Sequence, residues 1–215
     1  PFSLLWRFKN CGNILGMLIT FEGIDGSGKS TQAKKLYQYL ESLGYKTSLY
    51  RDPGSTPLAE KIRELILSFE TDPTTELLLF ETARSSLVWE RVLPDLKEGK
   101  IVILDRFIDS TTAYQGYGRE INLGTVSILN HIAIRGRKPD LTFLINIPLE
   151  LALERVGGGR TRFERGEYLR KVRDAYLLIA HQEKDRIVVI DGARDEEEVF
   201  SQVIDCLRER LGLNL

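Results

Sequence analysis

Three glycines, a lysine and a serine fall at fixed spacing in Gly23-Ile24-Asp25-Gly26-Ser27-Gly28-Lys29-Ser30. This is G-x-x-x-x-G-K-[ST] in full, and its residue types suit a polyphosphate. Glycines let backbone N–H groups wrap closely around phosphate oxygens, and a helix opening behind them adds its dipole. Lys29 would reach the β- and γ-phosphates of ATP, and the Ser30 hydroxyl would hold Mg²⁺. Ile24, Asp25, Ser27 and Thr31 complete the segment expected around the donor nucleotide. The bland alternative is a glycine turn capped by Ser27.

Downstream, Ile101-Val102-Ile103-Leu104 ends in Asp105 and Arg106. A buried strand would deliver the Asp105 carboxylate beside the cradle as a metal ligand, and Arg106 would point its guanidinium into the same cleft. A fixed cation there suits a kinase, whose second substrate is itself an anion. A strand-end ion pair is the alternative. Residues 156–166 (Val-Gly-Gly-Gly-Arg-Thr-Arg-Phe-Glu-Arg-Gly) read as a lid. Its glycines allow hinging, and Arg160 and Arg162 could stabilise charge in the transition state. No N-K-x-D segment for a GTPase occurs, and no L-S-G-G-Q-type segment for a transport ATPase. His131 and His181 lie away from these motifs; an acceptor phosphate is already anionic and needs no strong base.

Positioning these groups requires alternating strands and helices. Apolar runs at Leu18–Phe21, Thr47–Tyr50, Ile101–Leu104, Leu141–Ile147 and Ile187–Ile190 read as strands. Helical spacing covers Lys29–Leu43, Leu58–Phe69, Thr75–Glu98 (kinked before Pro94), Leu123–Ile134, Leu149–Val156, Glu167–Glu183 and Glu196–Leu211. No element is assigned between 105 and 122. The fold expected is α/β: a three-layer P-loop fold with a five-stranded parallel sheet, helices on both faces and a short arginine-rich lid. Ligands should bind at the carboxyl ends of the strands. A net charge of −1 over 215 residues argues against nucleic acid, and no run is long enough to cross a membrane. Two cysteines fit neither a disulfide framework nor a metal cluster, which points to the cytoplasm. Residues 1–16 read as an N-terminal extension or appended segment, or as an arm packed on the surface, ahead of one domain over 17–215.

The segments 19–31, 51–57, 78–84, 105–116 and 138–143 together resemble bacterial thymidylate kinases, in unchanged order. The resemblance implies transfer of the γ-phosphoryl group of ATP to thymidine monophosphate, in deoxynucleotide biosynthesis, by a Mg²⁺-dependent homodimer. It implies that Phe80 stacks on thymine, that Arg84 bonds a base carbonyl, and that Thr111 and Gln115 lie near the base. Arg106 and Arg63 would hold the acceptor phosphate, Tyr114 would lie under the sugar, and Asp25 would approach the 3′-hydroxyl. Asp52 would lie near acceptor and metal, and Arg155 near adenine. The chain departs from the family pattern at Asp52, Ser55 and Asn146, where Glu, Gly and Asp are usual. Without the resemblance, Phe80 reads as core and Arg84 as a surface cation.

Overall fold

The structure, a computed structural model, describes residues 16–156 and 162–211, the side chains of 156, 162–165 and 211 excepted. The leading segment through residue 15 lies outside them. Five strands, β1 (Met17–Glu22), β2 (Thr47–Arg51), β3 (Ile101–Asp105), β4 (Leu141–Asn146) and β5 (Ile187–Asp191), form one sheet in the order β2-β3-β1-β4-β5. Every pairing is parallel. Such a sheet must be covered on both faces, which explains why β1 is buried along its whole length. Met17, Ile19 and Phe21 pack toward α1 (Lys29–Ser42) and α9 (Glu196–Leu211), while Leu18 packs with Val102, Leu104, Val88 and Leu96 on the opposite face.

The register decides where chemistry can occur. Phe21 and Arg51 both pair with Asp105, so the chain leaves β1, β2 and β3 at one level. Glu22–Gly23, Asp52 and Arg106 therefore meet at a single edge.

Around that edge lie α2 (Pro57–Ser68), α3 (Pro73–Leu87), α5 (Ile108–Thr111), α6 (Leu123–Ala133), α7 (Leu149–Val156) and α8 (Arg162–Gln182). Helix α3 starts two residues before the spacing indicated, because Asp72 caps the Thr74 and Thr75 N–H groups and Pro73 takes the first turn. The kink expected before Pro94 takes the form of a wide π turn at Val88–Val92, leading into α4 (Leu93–Lys97). Such a turn accommodates a proline that has no N–H to give. The unassigned stretch after β3 is helical as well: α5 runs into a π-helical segment at Thr112–Gly118. Helix α8 begins at Arg162 rather than Glu167, so only 157–161 separate it from α7. The segment read as a lid is thus helical over its second half, while Arg160 and the side chain of Arg162 lie outside the described residues.

Candidate active site

The cradle is built by β1 and α1. Gly23 has φ +143°, and a Cβ there would come within 2.6 Å of the Ile145 carbonyl oxygen. Gly28 caps α1 with φ +90°, makes no side-chain cap, and has open space where a Cβ would point. With no acid in the first turn of α1, its N–H groups remain available to an anion. The Ser27 Oγ, in the same turn, is buried with no partner among the described residues. Lys29 is buried, with Nζ 3.4 Å from the Ile24 carbonyl oxygen and 3.8 Å from Asp25 Oδ1. Burial, then repulsion from Arg106, brings its pKa down to about 8.

Ser30 Oγ donates to Asp105 Oδ2 at 2.5 Å, joining cradle and β3. Asp105 Oδ1 is buried and has no partner among the described residues. One carboxylate with a spare oxygen beside a serine hydroxyl fits Mg²⁺, which takes few protein ligands when phosphates supply the rest.

Arg106 sits at φ +71°, an uncommon conformation for a side-chain-bearing residue and one that clusters at functional sites. Its Nη2 donates to Asp25 Oδ1 at 2.5 Å, and its Nη1 to Ser110 Oγ at 3.0 Å. The guanidinium lies 5.1 Å from the Tyr114 ring centre. Glu22, which the motif reading passed over, underpins this arrangement. Its Oε1 accepts from the Phe107 and Ser110 N–H groups, and its Oε2 from the Ser110 and Tyr176 hydroxyls. The only sequence signal was a charged residue closing an apolar strand.

Burial, reinforced by Asp109, raises the Glu22 carboxyl from 4.5 to about 7. The folded protein thus keeps a proton that the unfolded chain has released. The stability it contributes is complete below pH 4.5 and is lost as pH rises through 7. Glu22→Gln is expected to flatten that decline, on the order of 3 kcal/mol between about pH 4.5 and 7. Urea titrations across that range check it; an unchanged slope would mean that Glu22 ionises normally.

The residues expected on the acceptor side come together. Asp25, Asp52, Arg63, Phe80, Arg84, Arg106, Thr111, Tyr114 and Gln115 all line one cavity of about 220 Å³. Arg63 Nη1 donates to the Pro53 carbonyl. Arg84 is no surface cation: it is 1% exposed. Its N–H groups bond Asp52 (2.6 Å), Glu81 (2.8 Å), Asn130 (2.7 Å), Thr111 (2.7 Å) and the Phe107 carbonyl (3.3 Å). Burial pushes the Asp52 and Glu81 carboxyls up, against the pull of Arg84. On the other side of the cradle, Gly26, Ser27, Gly28, Thr31 and Arg155 line a second cavity, of about 240 Å³. Gly192 and Arg194, after β5, also line it and carry no motif that would have marked them. Arg155 Nη1 lies 3.2 Å from the Gly26 carbonyl oxygen.

The family model described as thymidylate kinase matches residues 21–203. The chain belongs to the thymidylate kinase family. It is 47% identical to the thymidylate kinase of Sulfurihydrogenibium sp. (strain YO3AOP1), over 91% of this chain and 98% of that one. It is 41% identical to the enzyme of Thermoanaerobacter sp. (strain X514), over 91% and 99%. The crystal structure of thymidylate kinase from Ehrlichia chaffeensis superposes with a TM-score of 0.76 at 38% identity, covering 89% of this chain and 98% of that one.

Two departures from the thymidylate kinase pattern have local explanations. Ser55 stands at φ +68°, a backbone suited to glycine, but its hydroxyl accepts from the Arg51 N–H at 2.8 Å and offsets the strain. The Asn146 amide oxygen accepts from Arg173 at 3.0 Å, a bond an aspartate would also make.

Proposed function

We propose that this thymidylate kinase family member transfers the γ-phosphoryl group of ATP to thymidine 5′-monophosphate at the cradle that lies between the two cavities. The observation that carries the reading is the Asp25–Arg106 bond: an acid of the phosphate cradle is tied to a cation of the acceptor cavity. The donor triphosphate lies along Gly23–Thr31, with adenine on the side of Arg155, Gly192 and Arg194. The acceptor base lies between Phe80 and the Thr111–Gln115 segment. Its carbonyl shares the Arg84 N–H whose bond to the Phe107 carbonyl is the longest of the five. Arg106 and Arg63 hold the acceptor phosphate, Tyr114 faces the sugar, and Asp25 takes the 3′-hydroxyl. Asp52 anchors Arg84 at the edge facing the metal side.

Two anions must approach, and their repulsion is the main obstacle. Lys29, Arg106 and the lid residues Arg160 and Arg162 offset it and hold the reacting groups in line. An oxygen of the acceptor phosphate attacks the γ-phosphorus. The new O–P bond forms as the bond to the β-bridging oxygen breaks, and ADP departs with that electron pair. Mg²⁺ held by Ser30 and Asp105 would neutralise charge on the triphosphate. The acceptor oxygen needs no base, which accounts for two cavities that no histidine lines.

Leu58, Leu78, Trp89, Ile128 and Ile132 expose an apolar face on α2, α3, α6 and the π turn after α3. A second copy of the chain covers it, giving a homodimer. Among the described residues no helix is long and apolar enough to cross a membrane. Two cysteines that fit neither a disulfide framework nor a metal cluster support a cytoplasmic enzyme.

Coupled ADP release with Mg²⁺ and ATP tests the reading, with thymidine, deoxyuridine, deoxycytidine, adenosine and guanosine monophosphates in parallel. The thymidine nucleotide is expected to be preferred. Better turnover of another nucleotide would keep a P-loop kinase and sink the base pocket. No acceptor-dependent release would leave a nucleotide-binding module.

A further inference from the structure

Gln115 lines the acceptor cavity, but what it offers a ligand depends on which way its amide faces. Glu76, in the first turn of α3, decides that. Its Oε1 accepts from Gln115 Nε2 at 2.8 Å. A carboxylate can only accept, so the amide nitrogen must face Glu76 and Oε1 is the end left for the cavity. Arg119 fixes Glu76 in turn, with Nη2 2.9 Å from Oε2 and Nε 3.4 Å from Oε1. The Arg119 guanidinium also lies 5.4 Å from the Tyr168 ring centre, and Tyr168 packs edge-on against Tyr114. Glu76 itself does not line the cavity.

We infer that the Glu76–Arg119 pair sets the base selectivity of the acceptor cavity, by fixing Gln115 so that it presents an acceptor to a pyrimidine N3–H. Thymine and uracil carry that proton. Cytosine carries a lone pair at N3, which would face the lone pairs of Oε1 with no hydrogen between them. A buried acceptor left opposite an acceptor is strongly disfavoured, which makes one amide orientation an effective filter. Glu76 is thus a positioning residue. As a purely structural group it would brace the start of α3 and the turn carrying Arg119, affecting all acceptors alike.

The inference rests on the proposed acceptor, and the experiment keeps the two apart. kcat/KM is measured with Mg²⁺ and ATP for thymidine and deoxycytidine monophosphates, on the unmodified chain and on Glu76→Gln. In the variant, the new side-chain carbonyl stays with Arg119 and the new amide nitrogen turns to Gln115, reversing the Gln115 amide. The thymidine-to-deoxycytidine ratio is expected to fall about tenfold or more. An unchanged ratio, or an equal loss on both nucleotides, overturns the inference while the proposed function stands. An unmodified chain without preference for the thymidine nucleotide overturns the proposed function, and the inference with it.

Discussion

Lys29→Ala is expected to lower kcat by about 100-fold or more while leaving the protein as stable as before or more so. Both halves follow from its surroundings. Lys29 is buried beside Arg106, and desolvation together with that like charge already pulls its pKa down to about 8. The acids around it keep other partners when the cation goes: Asp25, 3.8 Å away and half exposed, is held by Arg106, Asp105 by the Ser30 hydroxyl, and Glu22 by Ser110 and Tyr176. Holding two cations together against repulsion costs stability, and on the proposed mechanism that cost is offset when phosphate arrives between them. Removing one relieves the folded protein and leaves the γ-phosphoryl charge unopposed in the transition state. Single-turnover kinetics and thermal melting check the two halves. A near-normal rate would mean that Lys29 does not touch the transferred group, and a large fall in Tm would mean that it is a packing residue.

How much of this was legible beforehand depends on whether a residue's role is local. The cradle follows from a contiguous run, because glycine spacing, strand and helix all lie within Leu18–Leu43. Strand positions were equally readable, since a doubly covered parallel sheet leaves near-continuous apolar runs. The helix after β3 was not, because its buried residues (Ile108, Asp109, Ser110, Thr111, Ala113, Gln115 and Gly116) are mostly polar or small and give no apolar stripe. Its polar members meet Arg84, Arg186 and Glu22 rather than hydrocarbon. Glu22 and Glu76 were missed for a related reason: each acts through residues at least 39 positions away, Ser110 and Gln115. Periodicity cannot report a carboxylate whose partners come from another element. The resemblance placed Arg84 at the base but gave no hint that it is also the charge centre of the surrounding core.

That second role makes Arg84→Met the most destabilising substitution we expect. Arg84 is the cation for two buried carboxylates, Asp52 and Glu81, each of which already has one oxygen with no partner among the described residues. Met fills the volume and leaves both acids uncompensated, at a cost of about 3–5 kcal/mol. For a chain of this size that lowers Tm by roughly 10 °C. The loss should grow with pH. Burial already raises both carboxyls, and without Arg84 their folded pKa values rise further. A raised acid favours the folded state below its unfolded pKa and loses that contribution as pH climbs. The variant should therefore lie closest to the unmodified chain in mild acid and fall away toward neutrality. The triple variant Arg84→Met, Asp52→Asn, Glu81→Gln separates structure from recognition. With all three charges gone, stability should return, while binding of thymidine monophosphate, read by calorimetry, should stay weak and ATP binding near normal. Recovery of acceptor binding along with stability would reduce Arg84 to a structural cation. A stable, pH-insensitive Arg84→Met would show that water reaches Asp52 and Glu81 once the guanidinium is gone.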